Sequence, residues 1–192
     1  MRKLLLTIMS AIMFVLPAMA VEAEIGGLWY DLDDSKHTAT VTNPDSLRQQ
    51  GLTAYKDAMS LTIPEAVKYK NRKYKVVAVG DSAFAGCKRL ASIALPERLT
   101  TIGASAFKHC TSIQVVEIPE SVKFIGNEAF AECKSLTAIL FLTKTPPALG
   151  TDIFRDAATH GNYQYINVPC GALFTYKSQW PTYKDAIRER CL

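Results

Sequence analysis

One period governs this chain. Written in lines of 23 residues, its middle falls into register: Val79-Gly80, Ile102-Gly103 and Ile125-Gly126 align, as do Ala83-Phe84, Ala106-Phe107 and Ala129-Phe130. Cys87, Cys110 and Cys133 form the next column, followed by Leu90, Ile113 and Leu136, then Ile93, Val116 and Ile139. Pro96 and Pro119 follow two of the apolar steps, so the unit reads I-G-x-x-A-F-x-x-C-x-x-L-x-x-I-x-L-P-x-x-L/V-x-x. A unit this short cannot bury its apolar side chains alone. Each copy has to stack on its neighbours, which makes the fold a solenoid.

Within the unit, L-x-x-I-x-L alternates with period two, the signature of a strand with one buried face. Leu90, Ile93 and Leu95 should point inward, Ser92 and Ala94 outward. The following proline lacks an N–H and ends the strand. The Gly-to-Cys stretch, as in Gly103 to Cys110, reads as a short helical turn that sends Ala, Phe and Cys into the same core. Weaker copies extend the array: Leu61-x-Ile63-Pro64 upstream, and downstream Leu149-Gly150 with Phe154, then Ile166-x-Val168-Pro169 after a loop lengthened at His160-Gly161-Asn162. Five strands in one parallel sheet are expected, roughly 20 Å from first to last at about 4.8 Å per strand.

Solenoid ends expose apolar core and need caps of atypical sequence. Leu28 to Leu32 and Thr38 to Val41 read as a β-hairpin, and Val67 to Val77 as a second one turning at Asn71-Arg72. From Cys170 to Arg190, the residues Leu173, Phe174, Tyr176, Trp180 and Ile187 around Pro181 suggest two short helices over the last coil. The expected fold class is thus an α/β repeat solenoid with a parallel sheet, an N-terminal β-hairpin cap and a C-terminal helical cap. Its divisions are 1–20, a leader; 21–76, cap and first weak repeat; 77–169, repeats; and 170–192, the closing cap.

The leader is read from Met1-Arg2-Lys3, the apolar run Leu4 to Leu16, Pro17 and Ala18-Met19-Ala20, which together resemble a secretory signal with an A-x-A cleavage site. The 13-residue run is shorter than the roughly 20 residues needed to span a bilayer. Val21 is the expected mature start, with Glu24 second, and the mature chain has no further transmembrane stretch. Removing Arg2 and Lys3 leaves 20 basic against 18 acidic residues, or +2, a balance that calls for no nucleic acid.

The motif I-G-x-x-A-F-x-x-C-x-x-L-x-x-I-x-L-P resembles the BspA-like bacterial leucine-rich repeat family, strongly from Val79 to Phe141 and more loosely over roughly residues 60 to 170. The resemblance implies a right-handed solenoid on an exported protein, secreted or held in the periplasm or at the cell surface. It also implies a non-catalytic role in protein–protein binding or adhesion, with a host extracellular or surface protein as partner. Two other readings stand beside it: a structural component that self-associates, and an enzyme with a site in the irregular 143–165 segment, where Asp152, Asp156 and His160 are the polar candidates.

Candidates for chemistry each meet a plain structural reading. His109 beside Cys110 suggests a nucleophilic pair, but the column aims the Cys at the core and the His position is Gly86 and Glu132 in neighbouring copies. Asp31-x-Asp33-x-Ser35 opens like a calcium loop, yet Lys36 and Thr42 stand where Gly and a bidentate Glu belong. The basic run Lys68 to Lys75, five basic residues in eight with two Tyr, has the pattern of a grip for a polyanion such as an anionic glycan or a nucleic acid, and a hairpin with alternating solvated charges and inward Tyr or Val explains it as well. No cofactor or metal is expected. Cys87, Cys110 and Cys133 should be buried free thiols, because equivalent side chains in a parallel stack keep their Cβ atoms too far apart to bridge. For Cys170 and Cys191, pairing and free thiols both remain open.

The register also defines an outer face of two strips, Ser60, Ser92, Val115, Ala138, Tyr165 and Thr62, Ala94, Glu117, Leu140, Asn167. Only Glu117 is charged. A sheet face so poor in charge is a candidate interaction site, with Val115, Leu140 and Tyr165 as anchors beside Glu117 and Asn167.

Overall fold

The computed structural model describes residues 21–44, 47, 53–157 and 165–191. The leader at 1–20 and the His160-Gly161-Asn162 loop lie outside the described residues. Five strands occupy the expected apolar step of each unit: β4 (Ser60–Thr62), β7 (Ser92–Ala94), β9 (Val115–Ile118), β11 (Ala138–Phe141) and β13 (Tyr165–Pro169). They form two parallel ladders instead of one, β4 with β7, and β9–β11–β13, which a sixth strand, β14 (Ile187–Arg190), extends. Between β7 and β9, the Thr111 and Ser112 hydroxyls donate to the Lys88 carbonyl at 3.4 and 2.6 Å and tie the coils together. Ile93, Val116, Ile139 and Ile166 are buried while their sequence neighbours face out, as the alternation requires.

A third ladder runs along the Ile-Gly columns. The two-residue strands β8 (Thr101–Ile102), β10 (Phe124–Ile125) and β12 (Ala148–Leu149) pair in parallel and join β6 (Arg72–Val79). On its other edge β6 pairs with β3 (Thr38–Thr42), which continues through β2 (Leu28–Asp33) to β1 (Val21–Ile25). Glycine serves this ladder by its size. Gly103 and Gly126 donate to the Val79 and Ile102 carbonyls of the preceding coil at 2.8 Å, and a Cβ on Gly126 would lie 2.5 Å from the Ala104 nitrogen.

The Gly-to-Cys segments are turns, not helices. Ser105, Phe107 and His109 donate to Asn127, Ala129 and Ala131 of the next coil at 2.8, 2.8 and 3.0 Å, while Lys108 and Cys110 donate back to Ser105 and Phe107 within their own coil, both at 3.1 Å. Alternate amides thus point along the solenoid axis, which requires positive φ at Ser105 (53°) and His109 (61°). A helix would have turned all of them inward on itself.

The Phe column becomes a stack. Phe84, Phe107 and Phe130 lie with centroids 5.3 and 5.2 Å apart and nearly parallel rings; Tyr55 extends the stack at one end, Phe154 and Tyr183 at the other. Beside it, the Cys110 and Cys133 thiols donate to the Phe84 and Phe107 carbonyls of the preceding coil at 3.1 Å. Burial pushes the Cys133 thiol up to about 12, and Cys110 is raised well above its ordinary value by the hydrogen bond in which its thiol donates to Cys87 and by burial. The folded state therefore holds these protons at pH values where the unfolded chain releases them. Stability should fall as pH rises above about 9, the ordinary thiol value, towards 12. Thermal melts across that window check the sign. The three thiols are free and buried, so native protein should resist iodoacetamide, and mass mapping should find them alkylated only after denaturation.

The termini depart from expectation in detail. β5 (Ala66–Tyr69) and β6 form the second hairpin, but the turn is Lys70-Asn71, both at positive φ, one residue before the expected position. A two-residue hairpin turn of type I′ needs that conformation at both central residues. At the other end there is one α-helix, α1 (Leu173–Gln179), then a single 3-10 turn and β14, where two helices were expected. Tyr176 and Trp180 pack on Phe141 and donate to the Thr143 and Pro147 carbonyls at 2.8 and 3.3 Å. A disulfide between Cys170 and Cys191, left open by the sequence, fastens β14 beside the end of β13.

Candidate binding face

Strand pairing converts the two strips into rows. Val115, Ala138 and Tyr165 are direct cross-strand partners, and Glu117, Leu140, Asn167 and Arg188 form the next row. Ser60 pairs with Ser92 and Thr62 with Ala94, all four exposed. Val115 and Tyr165 keep 46% and 40% of their surface, which is high for apolar and aromatic side chains. Leu140 was expected to be exposed but is half-buried, because it stands between Glu117 and Asn167 on the flanking strands.

At the C-terminal ends of these strands the face hollows into a groove of about 450 Å³. Its lining combines Glu117, Leu140 and Asn167 with Phe141, Leu142, the Val168–Cys170 stretch and Arg190. Glu117 on β9 and Arg190 on β14 place opposite charges on the two sides of an apolar floor, with the Asn167 amide between. Three of the five residues singled out from sequence therefore meet at one groove, and Val115 and Tyr165 lie in the adjoining row. Arg190 and Arg188 were missed because β14 was read as helix. Arg188 sits 5.5 Å over the Tyr165 ring, a cation–π contact that holds the ring's orientation.

The other candidates are brought to different ends. His109 Nδ1 pairs with Glu132 at 3.0 Å on the surface, inside a charge network in which Glu128 binds Lys108 at 2.8 Å and Arg155 at 2.5 Å. The hydrogen bond from Lys108 holds the Glu128 carboxyl below its ordinary value. Cys110 points away into the core, so the two side chains form no nucleophilic pair. Asp33 accepts the Ser35 and Lys36 amides at 2.9 and 3.0 Å, an Asx turn in which the Ser35 hydroxyl and those contacts hold the carboxyl well below its usual range. Among the described residues one group of potential metal donors converges, Cys170, Glu189 and Cys191, but its two sulfurs are bonded to each other and Glu189 accepts the Gly171 amide. Asp152 and Asp156 are exposed at positive φ, and His160 lies outside the described residues.

Comparison with known proteins supplies the context. A family model described as the BspA type leucine rich repeat region matches residues 54–171 in 6 copies. No curated protein matches. Among solved structures, a leucine-rich repeat protein from Bacteroides capillosus is 25% identical with a TM-score of 0.57, covering 76% of this chain and 97% of its own. One from Bacteroides ovatus is 28% identical with a TM-score of 0.61 over 77% of this chain, which spans 34% of that longer protein. A leucine rich cell surface protein from Faecalibacterium prausnitzii, 22% identical with a TM-score of 0.53, shares the fold over 79% of this chain and 45% of its own.

Proposed function

Since this chain belongs to the BspA-type leucine-rich repeat family, we propose that it is an exported, non-catalytic module that binds a protein partner, in the manner of an adhesin, through the outer face of β9, β11, β13 and β14. The observation that carries this reading is the row of exposed Val115 and Tyr165 beside a groove with an apolar floor and charged ends. Apolar surface rimmed by polar groups is how protein-binding sites are built. Val115, Leu140 and Tyr165 act as anchors, and Glu117 and Asn167 orient the partner. The exposed Cys170–Cys191 disulfide suits an oxidising compartment outside the cytoplasm, in keeping with the signal-like leader. No helix among the described residues is long and apolar enough to cross a membrane. In this reading residues 21–76 and 170–192 close the ends of the repeat array at 77–169, and the partner is an extracellular or surface protein of a host.

Binding of the mature chain to a panel of purified extracellular-matrix and serum proteins tests the proposal. Val115→Lys should lower affinity for the captured protein roughly tenfold or more, the effect of losing an interface anchor. Its melting temperature should stay within about 2 °C, because Val115 is exposed in the free chain. Undiminished binding would contradict the assignment of the face.

A further inference from the structure

A second surface shares no lining residue with the sheet face and carries unbalanced positive charge. The β5–β6 register sets Lys68 directly opposite Lys73, and Lys75 follows two residues on, so three ammonium groups project from one exposed face while Tyr74 and Val76 turn inward. Like charges placed opposite one another across a strand pair are destabilising. The face opens on a groove of about 600 Å³ where Lys36, Lys73, Lys75 and Arg98 meet Glu65 and Glu97.

The acids present do not neutralise it. Lys36 is paired with Asp33 at 3.1 Å, and Arg72, near the hairpin turn, with Asp34 at 3.3 Å. One Glu65 carboxylate oxygen accepts the Glu97 amide at 2.6 Å. Among the described residues Lys68, Lys73, Lys75 and Arg98 make no ion pair. The fold thus holds a ridge and groove in which Lys68, Lys73, Lys75 and Arg98 outnumber the two carboxylates, Glu65 and Glu97, and make no direct ion pair, although nearby arginine and lysine side chains are paired.

We propose that this surface binds an acidic polysaccharide, whose sulfate or carboxylate groups supply the missing counter-charges through charge-assisted hydrogen bonds. The aromatic residues favour a glycan over a nucleic acid. Single-stranded nucleic acids are held largely by bases stacked on open aromatic faces. Here Tyr74 is buried with its hydroxyl on Asp34, His37 packs along it at 6.1 Å, and Lys70 lies 5.1 Å over the Tyr69 ring. What the groove leaves open to a ligand is mainly ammonium and guanidinium, with one exposed imidazole, His37, and the Glu65 and Glu97 carboxylates on its wall.

Affinity capillary electrophoresis of the mature chain with heparin, polygalacturonate and single-stranded DNA of matched charge tests the assignment. Heparin should bind at about 50 mM salt and weaken steeply by about 200 mM, since such binding is driven by counterion release. Lys73→Ser with Lys75→Ser should weaken it roughly tenfold or more, while Lys134→Ser with Lys144→Ser, the same charge removed from exposed positions outside the groove, leaves it nearly unchanged; a tenfold change is about 1.4 kcal/mol. If the groove variant melts early, Lys68→Gln with Arg98→Gln serves in its place. Polygalacturonate binding shows that carboxylates suffice, and its failure beside heparin binding shows that sulfate is read; both support the site. The proposal is overturned by absence of binding to both polysaccharides, by indifference to the substitutions in a normally folded variant, or by DNA binding as tightly with the same sensitivity.

Discussion

Phe107→Ala should destabilise the protein by roughly 3–5 kcal/mol, the usual cost of emptying a buried phenylalanine site. For a chain of this size that is a fall in melting temperature of about 6–20 °C at about 2–4 °C per kcal/mol. The site is severe because Phe107 is fully buried and stacks on Phe84 on one side and Phe130 on the other. Removing it breaks a stack that runs from Tyr55 to Tyr183 and leaves a hole that neighbouring coils, fixed by inter-coil hydrogen bonds, cannot close. Differential scanning calorimetry measures the effect directly. Lys134→Ala, in an exposed position, is the control and should shift the midpoint hardly at all. A midpoint for Phe107→Ala no lower than that of the control would show that the coils do not share one core.

Gly126→Val should also be strongly damaging, through crowding instead of a cavity. The nearest atoms to an added Cβ, the Ala104 nitrogen at 2.5 Å and the Gly103 carbonyl carbon at 2.6 Å, are backbone, so no side chain can swing aside. Either the β8–β10 pairing opens or the coil spacing grows, and overpacking of this kind costs about 1–3 kcal/mol or more. Because each coil contacts only its neighbours, the damage should be local at first. Amide exchange should quicken around β8, β10 and β12 before β1 and β2 are affected. Circular dichroism melts together with exchange by mass spectrometry check both the size and the place of the loss.

How much of this was legible in the sequence follows from how many residues each element uses. β9 and β11 declare themselves because several alternating positions repeat in register, and Ile93, Val116 and Ile139 lie inside as that pattern requires. The ladder at β8, β10 and β12 has two residues per strand, too few to show any period. Its trace in the sequence was the glycine column, whose reason, close approach of backbones, appears only when coils are stacked. The turn containing Ser105 and His109 was read as helix because Ala, Phe and Cys recur at helix-like spacing. Hydrogen bonds to the next coil override that local preference, and no single coil reveals them. At the candidate face, Glu117, Leu140 and Asn167 followed from the register of the repeats. Arg188 and Arg190 did not, since β14 lies outside the repeat and is set in place by pairing with β13 and by the Cys170–Cys191 bond.

The outer sheet face is the place where a partner protein should sit. Hydrogen–deuterium exchange of the mature chain, alone and saturated with a protein captured from the matrix panel, addresses that claim residue by residue. The predicted result is new protection across β9, β11, β13 and β14, centred on Val115, Leu140 and Tyr165, with the Gly-to-Cys turns on the opposite side unchanged. Protection confined to those turns or to the β5–β6 hairpin, with the sheet face exchanging as in the free chain, would contradict it.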